Sequence, residues 1–232
     1  MEFGVSYPAR LDAWKDIVIA EDSGFSHAWF YDSQLLYSDI YACMALAAEH
    51  TNTIKLGTGV AIPSNRIAPV TAHSIATINL LAPGRTILGI GTGFTGRHTM
   101  GLPPVPLGEL REQVQMCRTL LQGEEVLYRE GTRERWIKFI HPDDGYINLK
   151  DPIPIHVAAS GPKALALAGE VGDGWLTPLI DAESFGKNLA LIQAGADLTQ
   201  LRSQLEELLD RLPHVQDTGG EIQISEDLGR AL

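Results

Sequence analysis

Apolar positions along this chain fall into two alternating rhythms. Short runs read as strands: Phe3–Tyr7, His27–Tyr31 (HAWFY), Ile54–Ile62 (IKLGTGVAI), Thr86–Ile90 (TILGI), Ile153–Val157 (IPIHV) and Trp175–Leu179. Between them lie longer segments with helical spacing. Leu11–Ser23 is closed by Gly24, and Ile40–His50 can be capped by Ser38 or Asp39. Pro69–Leu81 has proline in its first turn and stops at Ala82-Pro83-Gly84. Leu107–Gln122, Lys163–Val171 and Phe185–Ala194 complete the set. One stretch breaks the rhythm. Glu125–Asp151 is polar and turn-rich, with Tyr128, Trp136, Ile137, Phe139, Tyr146 and Ile147 scattered through it, and reads as an inserted hairpin or flap.

Sustained strand–helix alternation predicts an α/β fold with a parallel sheet and right-handed crossovers. A (β/α)8 barrel is favoured over an open doubly wound sheet for two reasons. The first strand–helix turn has no GxGxxG. Polar and glycine residues collect just after the strands, at Asp32, Gly59, Thr92-Gly93 and Ser160-Gly161, which share one face in a barrel. The count does not close, however. About six units are present by residue 196. Leu198–Leu212 then reads as an amphipathic helix with leucines at 198, 201, 205, 208, 209 and 212, a stripe that must be buried somewhere. A polar stretch with Gly219-Gly220, a short Ile222–Ile224 run and a helix-like Glu226–Leu232 follow. The expected organisation is an incomplete barrel over 1–194 and a helical segment over 195–232.

Composition narrows the function classes. The 232 residues are 44% hydrophobic and 20% charged, with a net charge of −11. That is a globular composition, and its acidity argues against nonspecific nucleic-acid binding. No apolar run reaches the roughly 18 residues of a membrane span. Met1-Glu2-Phe3-Gly4 opens directly into a strand-like run, so a soluble, cytoplasmic protein is expected. Cys43 and Cys117 sit in apolar helical patterns and read as buried free thiols. The seven histidines show neither HxxxH nor HExxH spacing, and no serine lies in a GxSxG elbow.

Four blocks carry a resemblance: WFYDS at 29–33, LGTGVAIP at 56–63, PVTAHSIATINLLAPGRTILGIGTG at 69–93 and HVAASGPKALALAGEVGDGW at 156–175. Through them residues 1 to about 194 resemble the luciferase-like monooxygenase superfamily, closest to its methylenetetrahydromethanopterin reductase-like branch, which uses the deazaflavin coenzyme F420. The resemblance implies a barrel oxidoreductase that moves a hydride between F420, or alternatively FMN, and a small organic substrate. Residues 195–232, through LRSQLEELLDRLP and TGGEIQISEDLGRAL, resemble a fragment of a Clp/Hsp100 N-terminal domain. On that reading the last two strand–helix units are missing. Self-association into a homo-oligomer is then expected, and a catalytically inactive barrel serving as an assembly module is the alternative to an enzyme.

The resemblance also assigns residues. Gly57-Thr58-Gly59-Val60 by itself suggests a strand that another backbone approaches closely; the family places a non-proline cis peptide and cofactor contact at Gly59 and Val60. Asp32 is a turn or cap carboxylate on local grounds, and by resemblance a catalytic acidic residue near the ring's edge, although Ser33 follows it where many F420 members have histidine. Thr92 and Gly93 are implied ring contacts. Phe94 follows them where some members carry glutamate, and phenylalanine cannot exchange protons. A methylene-pterin iminium accepts hydride directly and needs little acid catalysis. Ser160, Gly161 and Pro162 start a helix whose exposed N–H groups suit the coenzyme's phosphate, with Lys163 adding charge. Arg97 and His98 lie where substrate could enter.

Overall fold

The computed structural model describes residues 2–178 and 180–211, with side chains through Gln204. Six strands form one parallel sheet: β1 (Gly4–Pro8), β2 (His27–Tyr31), β3 (Lys55–Thr58), β4 (Thr86–Ile90), β7 (Ile155–Ala158) and β8 (Gly174–Leu176). Their spatial order is β1-β2-β3-β4-β7-β8. Each crossover therefore returns beside its predecessor and the order never reverses. That is the topology of a barrel wall, in contrast to the reversal of a doubly wound sheet. Among the described residues, β1 and β8 are the sheet's edges.

Helices α1 (Trp14–Asp22), α2 (Ile40–His50), α3 (Ala68–Leu81), α5 (Leu107–Leu121) and α6 (Pro162–Val171) are the crossovers. Alternation along the strands decides what they cover. Ala28, Phe30, Leu56, Leu88, Ile90, Ile155 and Val157 point outward and are buried with Ile17, Met44, Ile75, Val114 and Leu165 of the helices. β4 is buried at every residue, as a strand covered on both faces must be. Asp39 caps α2 as expected, accepting from the backbone N–H groups of Tyr41 and Ala42.

The insertion after α5 contains an antiparallel hairpin, β5 (Val126–Glu130) and β6 (Arg133–Ile137). The chain returns to the sheet through fully buried Asn79 of α3. Its amide donates to the carbonyls of Asn148 and Asp151 at 3.0 and 2.9 Å, and its oxygen accepts from Thr86 Oγ1 at 2.7 Å. A short helix after β4, α4 (Phe94–Thr99), was not legible in the sequence.

The expected pair of helices at 185–194 and 198–212 is instead one helix, α7 (Ala182–Arg211). Its packed face is Ile192, Gly195, Ala196 and Thr199, whereas Leu198 and Leu201 of the anticipated apolar stripe are exposed. Small residues allow α7 to approach α6 closely, and that contact sets its rotation. The expected Gly219-Gly220 turn, Ile222–Ile224 run and final helix lie outside the described residues, as does Leu179.

The inner face of the sheet holds Trp29 between two imidazoles, stacked on His27 and tilted against His156. Its centroid lies 6.1 Å from His27 and 5.8 Å from His156. Burial pushes both imidazoles below their usual range and Lys55 adds to this, while Glu2 opposes it for His27 and Asp173 for His156. A histidine depressed in the folded state stabilises above the unfolded value of 6.5, and that contribution is lost as pH falls through the lower folded value. Between about pH 7 and about pH 5, His156→Gln should therefore lose less thermal stability than the parent chain, with tryptophan emission following. Equal losses in both would remove His156 from the acid response.

Candidate functional site

The carboxyl ends of β2, β3, β4 and β7 open into a cleft of about 500 Å³. Asp32, Gly59, Val60, Thr92, Gly93 and Ser160, six of the residues expected from the sequence, line it together with Tyr31, Tyr37, Gly91, Phe94 and Leu176. Each arrives by the same route. A strand ends, the backbone turns toward the next helix, and the residues at that turn face the common end of the sheet.

The Gly59–Val60 peptide is cis, at the bond the resemblance indicated. After Thr58 the chain leaves the regular ladder. Gly59 N–H donates to the Phe30 carbonyl at 2.6 Å, and Ala61 N–H to the Gly89 carbonyl at 2.8 Å. Gly93 has φ 77°, a left-handed conformation that glycine adopts without penalty, and it starts α4. Thr92 is held by its carbonyl, which accepts from Val105 N–H at 2.9 Å. Phe94 is 75% exposed on the cleft wall and stacks on His98.

Asp32 is only 5% exposed, and both of its oxygens are engaged. Gln34 Nε2 donates to Oδ1 at 2.6 Å, and Arg66 Nη1 to Oδ2 at 3.2 Å. Burial raises its pKa above the ordinary carboxylate range, while Arg66 and Gln34 pull it back down. Such a carboxylate is a fixed wall of the site, with no lone oxygen swinging free to carry protons.

Four expected site residues do not line the cleft. Gly161 and Pro162 stand one step behind Ser160, at the N-cap and first turn of α6. No side chain caps that helix, so its first-turn N–H groups face outward uncommitted to a cap. Arg97 donates through Nε to the Pro103 carbonyl at 2.7 Å and braces the loop after α4. His98 is exposed and pairs with Phe94.

Sequence reasoning missed Arg66, Gln34, Tyr31 and Tyr37. Tyr31 was in plain view, adjacent to Asp32 in the WFYDS block. Arg66 had no signal, because its partner Asp32 is 34 residues away and only the fold brings them together. Among the described residues no group of three or more His, Cys, Asp or Glu side chains could hold a metal, and no helix is long and apolar enough to cross a membrane.

Comparison with known proteins agrees with this geometry. A 5,10-methylenetetrahydromethanopterin reductase of Methanolobus tindarius is 37% identical over 180 residues, which is 77% of this chain and 53% of the relative. The enzyme of the same name from Archaeoglobus fulgidus is 34% identical over 200 residues, covering 84% of this chain and 58% of the relative. The solved structure of the coenzyme F420-dependent tetrahydromethanopterin reductase from Methanopyrus kandleri superposes with a TM-score of 0.70 at 30% identity, over 86% of this chain and 62% of that one. The chain spans about half the length of the curated relatives it matches. The comparisons lend no support to a Clp/Hsp100 fragment after residue 195. The luciferase-like monooxygenase family model instead runs across that point, over residues 1–221, and α7 crosses it without a break. The chain belongs to the luciferase-like monooxygenase family.

Proposed function

We propose that this chain belongs to an oxidoreductase that transfers a hydride between coenzyme F420 and a small organic substrate of the methylene-pterin kind. The observation that carries the reading is the cleft itself, where six of the residues expected from the sequence, from four strand ends, meet. Gly59, Gly91 and Gly93 lie in the wall and let Trp29, Val60 and Ile62 pack closely against the backbone there, which suits a surface for a flat ring. The uncapped N-terminus of α6, with Ser160 and Gly161, suits the coenzyme's phosphate. When bound, the deazaflavin supplies the hydride chemistry, and the protein supplies position and a dry environment. Thr92, Val60 and Asp32 line the cleft and would hold the ring there, with Asp32 supplying a fixed carboxylate. Neither Phe94 nor the doubly bonded Asp32 favours proton delivery, which matches a substrate iminium that takes hydride directly. Phe94 and His98 present a stacked aromatic pair at the mouth as the substrate's landing surface, with Arg97 bracing it.

The cytoplasm suits the two buried free thiols, Cys43 and Cys117. Cys117 is fully buried, which pushes its thiol up to about 12 and leaves it unreactive. Self-association into a homo-oligomer belongs to the same reading, with the β1 and β8 edges as the surfaces in question.

The test is titration of the purified chain with oxidised F420, reduced F420 and FMN, followed by absorbance and fluorescence. Saturable one-to-one binding of F420, with FMN weaker, is the expected result. Tight FMN binding without F420 binding would make it an FMN-dependent monooxygenase. Binding of neither would leave the barrel as an assembly module.

A further inference from the structure

We propose that Arg66 is the positioning residue of this cleft, tying Asp32 to Asp39 and to the face of Tyr41 so that the Asp32 carboxylate stays charged and immobile at the wall. The ring-facing consequence rests on the F420 reading above; the effect on Asp32 itself does not.

The geometry is a cross-tie between two loops. Arg66 precedes α3, and Asp32 follows β2. Arg66 Nη1 reaches Asp32 Oδ2 at 3.2 Å, and Nη2 reaches Asp39 Oδ2. Its Cζ sits 4.9 Å above the Tyr41 ring centroid. The planar guanidinium makes two directional bonds and one stacking contact at once, which an ammonium cannot reproduce. Its own backbone is anchored too, because its carbonyl accepts from Gln113 Nε2 of α5 at 3.0 Å and from Thr71 Oγ1 of α3 at 3.3 Å. A second tie runs in parallel: Gln34 donates to Asp32 Oδ1 and accepts from Asn65 Nδ2. Arg66, Gln34 and Asn65 all stand behind the cleft lining.

Elementary electrostatics sets the consequence. A carboxylate taken out of water tends to bind a proton, and an adjacent fixed cation opposes this. The charged and titratable groups facing Asp32 are Arg66 from the loop before α3, and Asp39 and Tyr41 from the start of α2. Asp39 pushes Asp32 toward protonation and Arg66 pushes it away. Arg66 therefore keeps Asp32 ionised to lower pH than burial and Asp39 alone would allow. A neutral Asp32 could donate a hydrogen bond, or a proton, to whatever lies against it.

The experiment titrates the Asp32 side-chain carboxyl by carbon NMR in the free chain, assigned by its loss in Asp32→Asn. Arg66→Met should move the protonation midpoint of Asp32 upward, and Arg66→Lys, which keeps the charge without the fork, should restore only part of the difference. Circular dichroism reports whether the variants fold. Should Arg66→Met not fold, Asp39→Asn decides, since asparagine still caps α2 and the lost charge should move the midpoint down. An unchanged midpoint in folded Arg66→Met, or an unchanged or raised one in Asp39→Asn, overturns the proposal. A parallel F420 titration should become pH-dependent in Arg66→Met across the new midpoint and lose that dependence when Asp32→Asn is added. Failure of F420 to bind the parent at any pH would count against the functional reading alone, because the NMR midpoints still decide the role of Arg66.

Discussion

Gly89→Ala should cost more than the same change at any other glycine of the sheet, about 3 kcal/mol or more of folding free energy. Gly89 is an inward-facing residue of β4. A methyl group there would collide with the Thr58 carbonyl and lie 2.8 Å from Leu176 Cδ1. The Thr58 contact is backbone on backbone, so no rotamer change relieves it. The position is fixed from both sides: Thr58 Oγ1 donates to the Gly89 carbonyl at 2.6 Å, and Ala61 N–H donates to the same oxygen at 2.8 Å. Relief requires β3 to move away from β4, which carries Gly59 and Val60 out of the cleft wall. Stability and ring binding should therefore fall together, read by denaturant unfolding and by F420 titration. A variant within about 1 kcal/mol of the parent would show that β3 is freer to shift than this packing allows. One that keeps its stability but loses the ring would confine the role of Gly89 to the site.

That glycine also marks where the sequence stopped being readable. The alternation of strands and helices was legible because inside–outside periodicity is a local property, and so was the face on which Asp32, Gly59, Thr92 and Ser160 would meet. Gly89 inside TILGI could be recognised as a gap in an apolar run, but what fills the gap is a carbonyl 31 residues earlier. The same holds for Arg66, whose role exists only through Asp32 and Asp39. Helix α4 was hidden because its six residues, FTGRHT, have too few apolar positions to set a period. Arg97 carries a second role that the sequence did not show. A basic residue in a loop beside the site suggests a ligand contact, and the fold also uses its Nε to hold the Pro103 carbonyl.

The segment after residue 194 offers the sharpest discrimination, because two readings of Gly195 predict opposite signs. If Gly195 begins an appended helical segment, Gly195→Leu should do no harm and should stabilise the helix by up to about 1 kcal/mol, since glycine is a poor helix former. The structure predicts the reverse. A Cβ on Gly195 would strike the Ala166 carbonyl of α6, and one on Gly169 would strike the Ile192 carbonyl of α7. The two helices are thus in reciprocal backbone contact, each glycine receiving the other's main chain. Thr199 Oγ1 donates to the Glu170 carbonyl at 3.4 Å just beyond the crossing. Gly195→Leu and Gly169→Leu should each cost about 3 kcal/mol. Combined, they should cost less than their sum, because the first already pries the helices apart. Leu198→Ala and Leu201→Ala, on the exposed side, should stay within about 0.5 kcal/mol. The large apolar side chains that drew attention in the sequence would then prove dispensable, and the glycine at the expected boundary would hold α7 against the barrel wall. A neutral or stabilising Gly195→Leu would instead return residues 195–211 to the status of an appendage.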